Sequence, residues 1–385
     1  MTGRTVLVAH PGTGLYGADR MLLESVHGLR SADVRVVVAL PSIGPLVAEL
    51  LRLGAEVEIV RTLALSARLL RPRAWPTAAS VSVLGIVRIW RLLGRLRPDT
   101  VYVSTSGVPQ WPLIARARGI RSISHIHEAP RSDGRRVNRL RLLPHLASHR
   151  TLVNSQYTLE TIRRALPSLA RRAEIVPNGV VSPEHPPLPR EPLESPLRVL
   201  YMGRFSPRKG PDLALEAATL LQLEGHQVQL TMLGEPAEGF EWFDRQLREQ
   251  ACAGDLEVEF AGFQQDVWPF LADVDVLLAP SRFDEAFGNS AVEAVLALRP
   301  VIASDTSGLR EAVGDYRSVH LVPVGDARAL ANSLLAVSRS WSTTVRSLAS
   351  SRAEALRRHD PGTYRSTIVR ACGVDTSGPH GSRGP

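Results

Sequence analysis

Of the 46 lysine and arginine side chains in this 385-residue chain, one alone, Lys209, is lysine. Its ammonium is a compact point charge, whereas a guanidinium is a planar fork. A lysine kept against so strong an arginine bias suggests a site the fork cannot serve, set against survival by chance on a solvated turn. It stands with Arg204 in Gly203-Arg204-Phe205-Ser206-Pro207-Arg208-Lys209-Gly210, directly after the apolar run Leu200-Tyr201-Met202. A strand that ends in a glycine-bounded loop carrying both cations is suited to cradle phosphates. Further on, Glu285 and Glu293 stand eight apart, the first on a loop after a buried strand and the second in the helix that follows. The amides of Ala286, Phe287, Gly288 and Asn289 open that helix, and helix starts attract anions. Gly288 lets backbone approach a ligand closely, and a carboxylate at Glu293 can accept hydrogen bonds from sugar hydroxyls. In the first half, Ser124-His125-Ile126-His127-Glu128 ends one strand, and Gly12, Gly14, Tyr16, Gly17 and Asp19 follow another.

The elements that must hold these residues alternate throughout. Short β-branched apolar runs such as Thr5–Ala9, Thr100–Ser104, Arg198–Met202 and Val274–Ala279 are separated by amphipathic stretches of helical length. That alternation predicts parallel sheets covered on both faces. Five prolines between Ser182 and Pro192 cannot continue a helix or a central strand and divide the series in two. The expected organisation is an N-terminal domain over 1–181, a proline-rich linker over 182–197, a second domain over 198–355 and a disordered tail over 374–385. A C-terminal helix over 356–373 is expected to join the first domain. Open α/β sheets bind ligands outside the carboxyl ends of their strands.

The stretch 280–294 resembles the paired-glutamate motif of family 4 glycosyltransferases, in which seven residues separate the glutamates. Gly203-Arg204 through Lys209-Gly210 resembles that family's diphosphate-binding loop. Val176-Pro177-Asn178-Gly179-Val180 looks like its Asn-Gly turn, and Phe260-Ala261-Gly262-Phe263 looks like the strand before its nucleobase pocket. The resemblance implies an α/β GT-B fold, two Rossmann-like doubly wound parallel-sheet domains facing a central cleft. It further implies a retaining, hexosyltransferase-like transfer from a nucleotide-diphosphate sugar, with no metal or other cofactor. By position, Glu293 would bind the ribose, Glu285 the hydroxyls of the transferred sugar, and Phe263 the donor base. Arg204 and Lys209 would neutralise the diphosphate leaving group, and preorganised charge of this kind lowers the barrier. His127 would touch the transferred sugar, while His125 is read as structural. The loop Gly12–Asp19 would line the acceptor or phosphate side, although Tyr16 stands where the family commonly has a second glycine. Asp273-Val274-Asp275 is read as a turn and helix cap, not as a metal site.

Charge bears on the acceptor. The net charge of +8 divides into +14 over residues 1–187 (26 arginines, 12 acids) and −6 over 188–385 (20 cations, 26 acids). Eight arginines and no acid fall between Ile59 and Pro98. Arg88, Arg91 and Arg95 share one face of a helix over 81–96, so residues 61–97 are a candidate contact with an anionic membrane surface. Arg131, Arg135, Arg136, Arg139 and Arg141 form a second cluster after His127. The expected acceptor is lipid-linked or anionic, in glycan or glycolipid biosynthesis. Two cysteines and the absence of a signal-like N-terminus give a cytoplasmic expectation, peripheral at the inner face of the membrane. A sugar-nucleotide epimerase or hydrolase on the same fold is the rival reading. Nucleic-acid binding rests on charge alone, without a reading helix, zinc module or aromatic-studded sheet.

Overall fold

The structure, a computed structural model, describes residues 3–63, 75–128 and 134–374. The chain divides into two compact units, Met1–Gly179 with Pro361–Pro385, and Val180–Asp360. The first unit carries strands β1 (Thr5–Ala9), β2 (Arg35–Leu40), β3 (Glu56–Ile59), β4 (Thr100–Val103), β5 (Arg121–Ile126), β6 (Arg150–Val153) and β7 (Ala173–Ile175). They form one parallel sheet in the order β3-β2-β1-β4-β5-β6-β7. The second unit carries β8 (Leu197–Met202), β9 (Val228–Leu233), β10 (Glu257–Gly262), β11 (Val276–Ala279), β12 (Val301–Ser304) and β13 (Val319–Val322). Its parallel sheet runs β10-β9-β8-β11-β12-β13.

Both sheets therefore begin in the middle and reverse direction beside their first strand, as doubly wound folds do. The central strands are buried on both faces: Val6 to Ala9 in β1 and Val276 to Leu278 in β11 are almost fully enclosed. Hence they appear in the sequence as unbroken apolar runs rather than alternating ones. The edge strands β7 and β13, with Glu174 and His320 in them, lack that signature.

Helix Trp341–Arg358 belongs to the second unit and helix Pro361–Ala371 to the first. The span 356–373 is thus not one helix. Pro361 has no N–H to continue an incoming helix but suits the first position of a new one. The stretch 182–197 lies along the second unit instead of hanging free. Buried Asp275 receives Nε of Arg190 at 3.0 Å and the Arg198 amide at 2.8 Å. Asp273 pairs with the Arg198 guanidinium at 2.7 Å, so Arg198 is held by both acids, its amide by Asp275 and its side chain by Asp273. Trp341 Nε1 donates to the Arg190 carbonyl at 2.7 Å, and Arg352 Nη2 to that of Pro183 at 2.9 Å.

In the first unit, helix Trp75–Leu96 buries Ile89, Leu92 and Leu93. Val83, Leu84, Ile86, Val87 and Trp90 on the same helix are exposed, as are Arg88, Arg91 and Arg95. Arg68, Arg71, Arg73, Arg131, the side chain of Arg135 and the tail beyond Val374 lie outside the described residues.

Helix Gly17–Ser31 packs on Pro361–Ala371 at a very close approach: a Cβ on Gly28 would stand 2.8 Å from Cβ of Arg365 and 3.0 Å from its Cα. Ser25 hydrogen-bonds Tyr364 at 2.9 Å in the same seam. Since backbone cannot swing aside as a side-chain tip can, Gly28→Ala should cost about 1–3 kcal/mol. A thermal melt reads this, and an unchanged melting temperature would show that the two helices separate easily.

Candidate functional site

In the second unit, β8 ends in the loop that carries Arg204 and Lys209. Main-chain bonds hold that loop to the end of β9: Gly203 N to Leu233 O at 2.9 Å and Phe205 N to Glu235 O at 2.7 Å. A Cβ at Gly234 would lie 2.0 Å from the Gly203 carbonyl oxygen. The loop closes at Gly210, whose φ of +67° is left-handed; a Cβ there would sit 2.1 Å from the Pro280 carbonyl oxygen. Glycine is required on both counts. The phosphate-type loop is thereby pressed onto the loop that follows β11, where Glu285 lies.

Several contacts lock these two loops together. Arg282 N donates to Arg208 O at 2.9 Å, and Arg208 Nη2 to Asp284 O at 2.9 Å. Arg282 Nη1 reaches Asp212 at 2.5 Å, and Ser307 N donates to the Asp284 carboxylate at 2.8 Å. Gly308 lies so close that a Cβ would fall 1.9 Å from the Glu285 carbonyl oxygen. Between the loops Lys209 Nζ donates to both carboxylate oxygens of Glu285, at 2.7 and 2.6 Å, and Ser281 donates a further short hydrogen bond. Glu285 is buried, whereas the Lys209 side chain is 26 % exposed. Arg204 stands exposed on the same loop.

The remaining second-unit residues lie at the helix that follows the Glu285 loop and at the end of β10. Gly288, with φ +130°, caps helix Asn289–Leu296, whose first hydrogen bonds run from Ala291 and Val292 to the Gly288 carbonyl. The amides of Ala286, Phe287 and Gly288 precede them. Glu293 is buried within that helix, and the Phe287 side chain packs edge-on against His359, 5.4 Å between centroids. Phe287 therefore offers its backbone rather than its ring. Phe263 follows β10 at the edge of the sheet, beyond Gly262 with φ +69°.

In the first unit the loop after β1 is held internally. Asp19 takes His10 Nε2 at 2.7 Å on one oxygen and the Tyr16 amide at 2.9 Å on the other, while His10 Nδ1 bonds Ser104 at 2.6 Å. A Cβ on Gly12 would fall 2.3 Å from Asp19 Oδ1. The Asp19 carboxylate thus shapes the Gly12–Gly17 loop, its two oxygens turned toward His10 and Tyr16. His127 is buried just past β5, its carbonyl accepting from Asn154 at 3.2 Å. Burial, assisted by the neighbouring His10, pulls its imidazole down to about 4 against the opposing pull of Glu128, so the ring is neutral near pH 7. Glu128 itself receives the Ser106 amide and hydroxyl at 3.1 Å each, a short bond from Thr105, and Arg141 at 3.9 Å. His10, Ser104, Thr105, Ser106 and Glu128 escaped the sequence reading as site residues. The available signal was positional: each directly follows a central strand.

Comparison with known proteins agrees with this geometry. A family profile described as "Glycosyltransferase Family 4" matches residues 16–182, and one described as "Glycosyl transferases group 1" matches 196–340. A phosphatidyl-myo-inositol mannosyltransferase of Mycobacterium leprae is 37% identical over 175 residues, 45% of each chain. The amylovoran biosynthesis glycosyltransferase AmsK of Erwinia amylovora is 32% identical over 174 residues, 43% of this chain and 42% of its own. This chain spans less than half the length of these curated relatives. Among solved structures, HepE of Anabaena in complex with UDP and glucose superposes with a TM-score of 0.79 at 20% identity, over 96% of this chain and 99% of that one. WaaG, described as a glycosyltransferase involved in lipopolysaccharide biosynthesis, gives 0.68 at 16% identity over 97% and 100%. These two likenesses establish the fold, a GT-B pair of parallel-sheet units.

The ion pair also makes a testable statement about acid. Burial pushes the Glu285 carboxyl up, but the charge and hydrogen bonds of Lys209, with Ser281 and Arg208, more than reverse this and hold it below the ordinary 4.5. The stability it contributes is present in full above that ordinary value and is lost as pH falls through the lower folded one. The stability gap between wild type and Glu285→Gln, read from urea melts, should narrow between about pH 5 and pH 3. A gap that does not vary with pH would contradict the pairing.

Proposed function

Because this chain belongs to the family 4 glycosyltransferases, we propose that it moves a sugar, with retention at the anomeric carbon, from a nucleoside-diphosphate sugar to a lipid-linked or anionic acceptor. The observation that carries this reading is Lys209 bridging both oxygens of buried Glu285, on loops that follow the adjoining strands β8 and β11. A diphosphate departing from the sugar develops negative charge at its terminal phosphate. Lys209, Arg204 and the amides around Gly288 are cations and dipoles fixed in advance, so little reorganisation accompanies that charge. Glu285, kept ionised by Lys209, accepts from the hydroxyls of the transferred sugar, and Glu293 accepts from the ribose. His127, neutral at working pH, contributes a hydrogen bond to the same sugar. In this reading the protein's own cations do what a metal would do elsewhere, so chelators leave transfer unaffected. The UDP and glucose named with HepE support the donor class, and the phosphatidyl-myo-inositol and the lipopolysaccharide biosynthesis named with other relatives support the acceptor class.

Nucleoside diphosphates should raise the melting temperature, by about 2.7 kcal/mol of added stability at a hundredfold excess over Kd. Glu285→Gln should lower kcat by about a hundredfold or more while nucleotide binding persists. Lys209→Arg, conservative on an ordinary surface, should lower transfer by at least about tenfold, since the fork cannot occupy the point-charge position. A chain that no nucleotide stabilises, or a Lys209→Arg enzyme with full activity, would remove the basis of this reading. An epimerase or hydrolase would consume the nucleotide sugar without acceptor.

The acceptor side is proposed to work at the inner face of a membrane. Among the described residues no helix is long and apolar enough to cross one. Helix Trp75–Leu96 instead offers Val83, Leu84, Ile86, Val87 and Trp90 exposed beside Arg88 and Arg91, a pattern suited to an anionic interface. Arg95 is less available, being paired with Glu58 at 2.6 Å. Binding to vesicles containing anionic lipid should weaken as salt rises, and Arg88→Glu with Arg91→Glu should abolish it. Absence of binding at low salt would place the acceptor in solution.

A further inference from the structure

Behind His127 runs a buried polar chain that begins on the C-terminal helix. Tyr364 Oη bonds Ser25 Oγ at 2.9 Å, and Ser25 Oγ bonds Tyr102 Oη at 3.2 Å. Tyr102 Oη bonds His125 Nδ1 at 2.7 Å. The His125 ring then stacks on that of His127, 3.9 Å between centroids with 35° between planes. All five side chains are buried, and Ser25 and His125 are fully enclosed. Tyr364 also stands beside His125, 6.1 Å between centroids, and against Gly179, where a Cβ would lie 2.7 Å from Cβ of Tyr364. Gly179 in turn adjoins Asn178, whose side chain favours the charged form of the His127 ring.

A histidine buried on an apolar face needs no such arrangement for packing. A buried hydroxyl carries a desolvation cost unless bonded, and a linked series fixes each member's orientation. Nε2 of His125 has no hydrogen-bond partner, so the Tyr102 bond at Nδ1 is the polar contact that sets its ring plane.

We propose that His125 is a positioning residue for His127, its ring clamped by Tyr102 and, through Ser25, by Tyr364 of the C-terminal helix. This rests on the reading of His127 as a contact of the transferred sugar, but its physical core does not. Tyr102→Phe removes the bond to His125 directly, and Tyr364→Phe removes the far anchor while keeping the ring. Imidazole nitrogen NMR of the full chain without substrate reads the tautomers and environments of both histidines. Either variant should shift the His125 and His127 signals. In turnover, Tyr102→Phe should lower kcat by about fivefold or more with the donor KM within about twofold, and Tyr364→Phe should do so more weakly. Nucleotide binding, assigned to the second unit, should not change. A purely structural role would lower the melting temperature and leave both the His127 signal and kcat unaltered, which overturns the proposal. Should Tyr102→Phe not fold, Tyr364→Phe decides alone. A wild type that binds no nucleotide sinks the transferase reading, while the NMR shift still decides whether the clamp exists.

Discussion

A cation and a carboxylate held together away from water are stable only when geometry repays the lost hydration. Lys209 and Glu285 meet that condition: the ammonium reaches both carboxylate oxygens, and Ser281 satisfies one of them again. The loops that present the pair are themselves interlocked, with Gly210 allowing the closest approach. Remove Lys209 and a buried carboxylate remains, bonded by Ser281 but without its counter-charge. The arrangement explains the lysine better than its rarity does. Nζ can share three donors among the carboxylate and an incoming group, whereas a planar fork bonded to Glu285 would have its face committed.

The two units place their polar residues at the same topological point. In each sheet the first strand is central and its neighbours on either side are reached by connections of opposite direction. The loops after β8 and β11 carry Lys209 and Glu285, and those after β1 and β4 carry His10 and Ser104 to Ser106. Helices diverge to opposite faces there, leaving backbone amides and side chains unobstructed. The interactions within the two clusters differ in kind. The second unit's cluster centres on a direct lysine–carboxylate pair, while in the first unit the carboxylates of Asp19 and Glu128 are held mainly by backbone amides, hydroxyls and an imidazole. A charge-neutral His127 beside a predominantly basic unit is a consequence of burial, not of surrounding acids.

How far the sequence disclosed this depended on how local the cause was. Central strands were legible as apolar runs because burial on both faces leaves no alternation to interpret. Lys209, Glu285 and Glu293 could be picked out as candidates because each follows closely on an apolar run, with Glu285 and Glu293 eight apart. The edge strand Ala173–Ile175, three residues with a glutamate inside, had no such pattern. The inward turn of Asp19 was equally hidden, since its partner His10 is itself held in place by Ser104, 94 positions further along the chain. The proline-rich stretch read as a semi-rigid linker, and only tertiary contacts to Asp275, Trp341 and Arg352 reveal it as part of the second unit. His125 looked structural in the sequence, and its stacking on His127 is visible only in three dimensions.

The seam between helices Gly17–Ser31 and Pro361–Ala371 joins Ser25 to Tyr364 across 339 positions. The second unit, contiguous from Val180 to Asp360, lies wholly between these two segments, so it can close without the contact that completes the first. The discontinuous unit therefore depends on a long-range closure that the continuous one does not need. Without helix Pro361–Ala371, Gly28 would lose its close neighbour and the hydroxyl of Ser25 its bond to Tyr364, so the seam ties the two ends of the first unit's chain together through polar contacts.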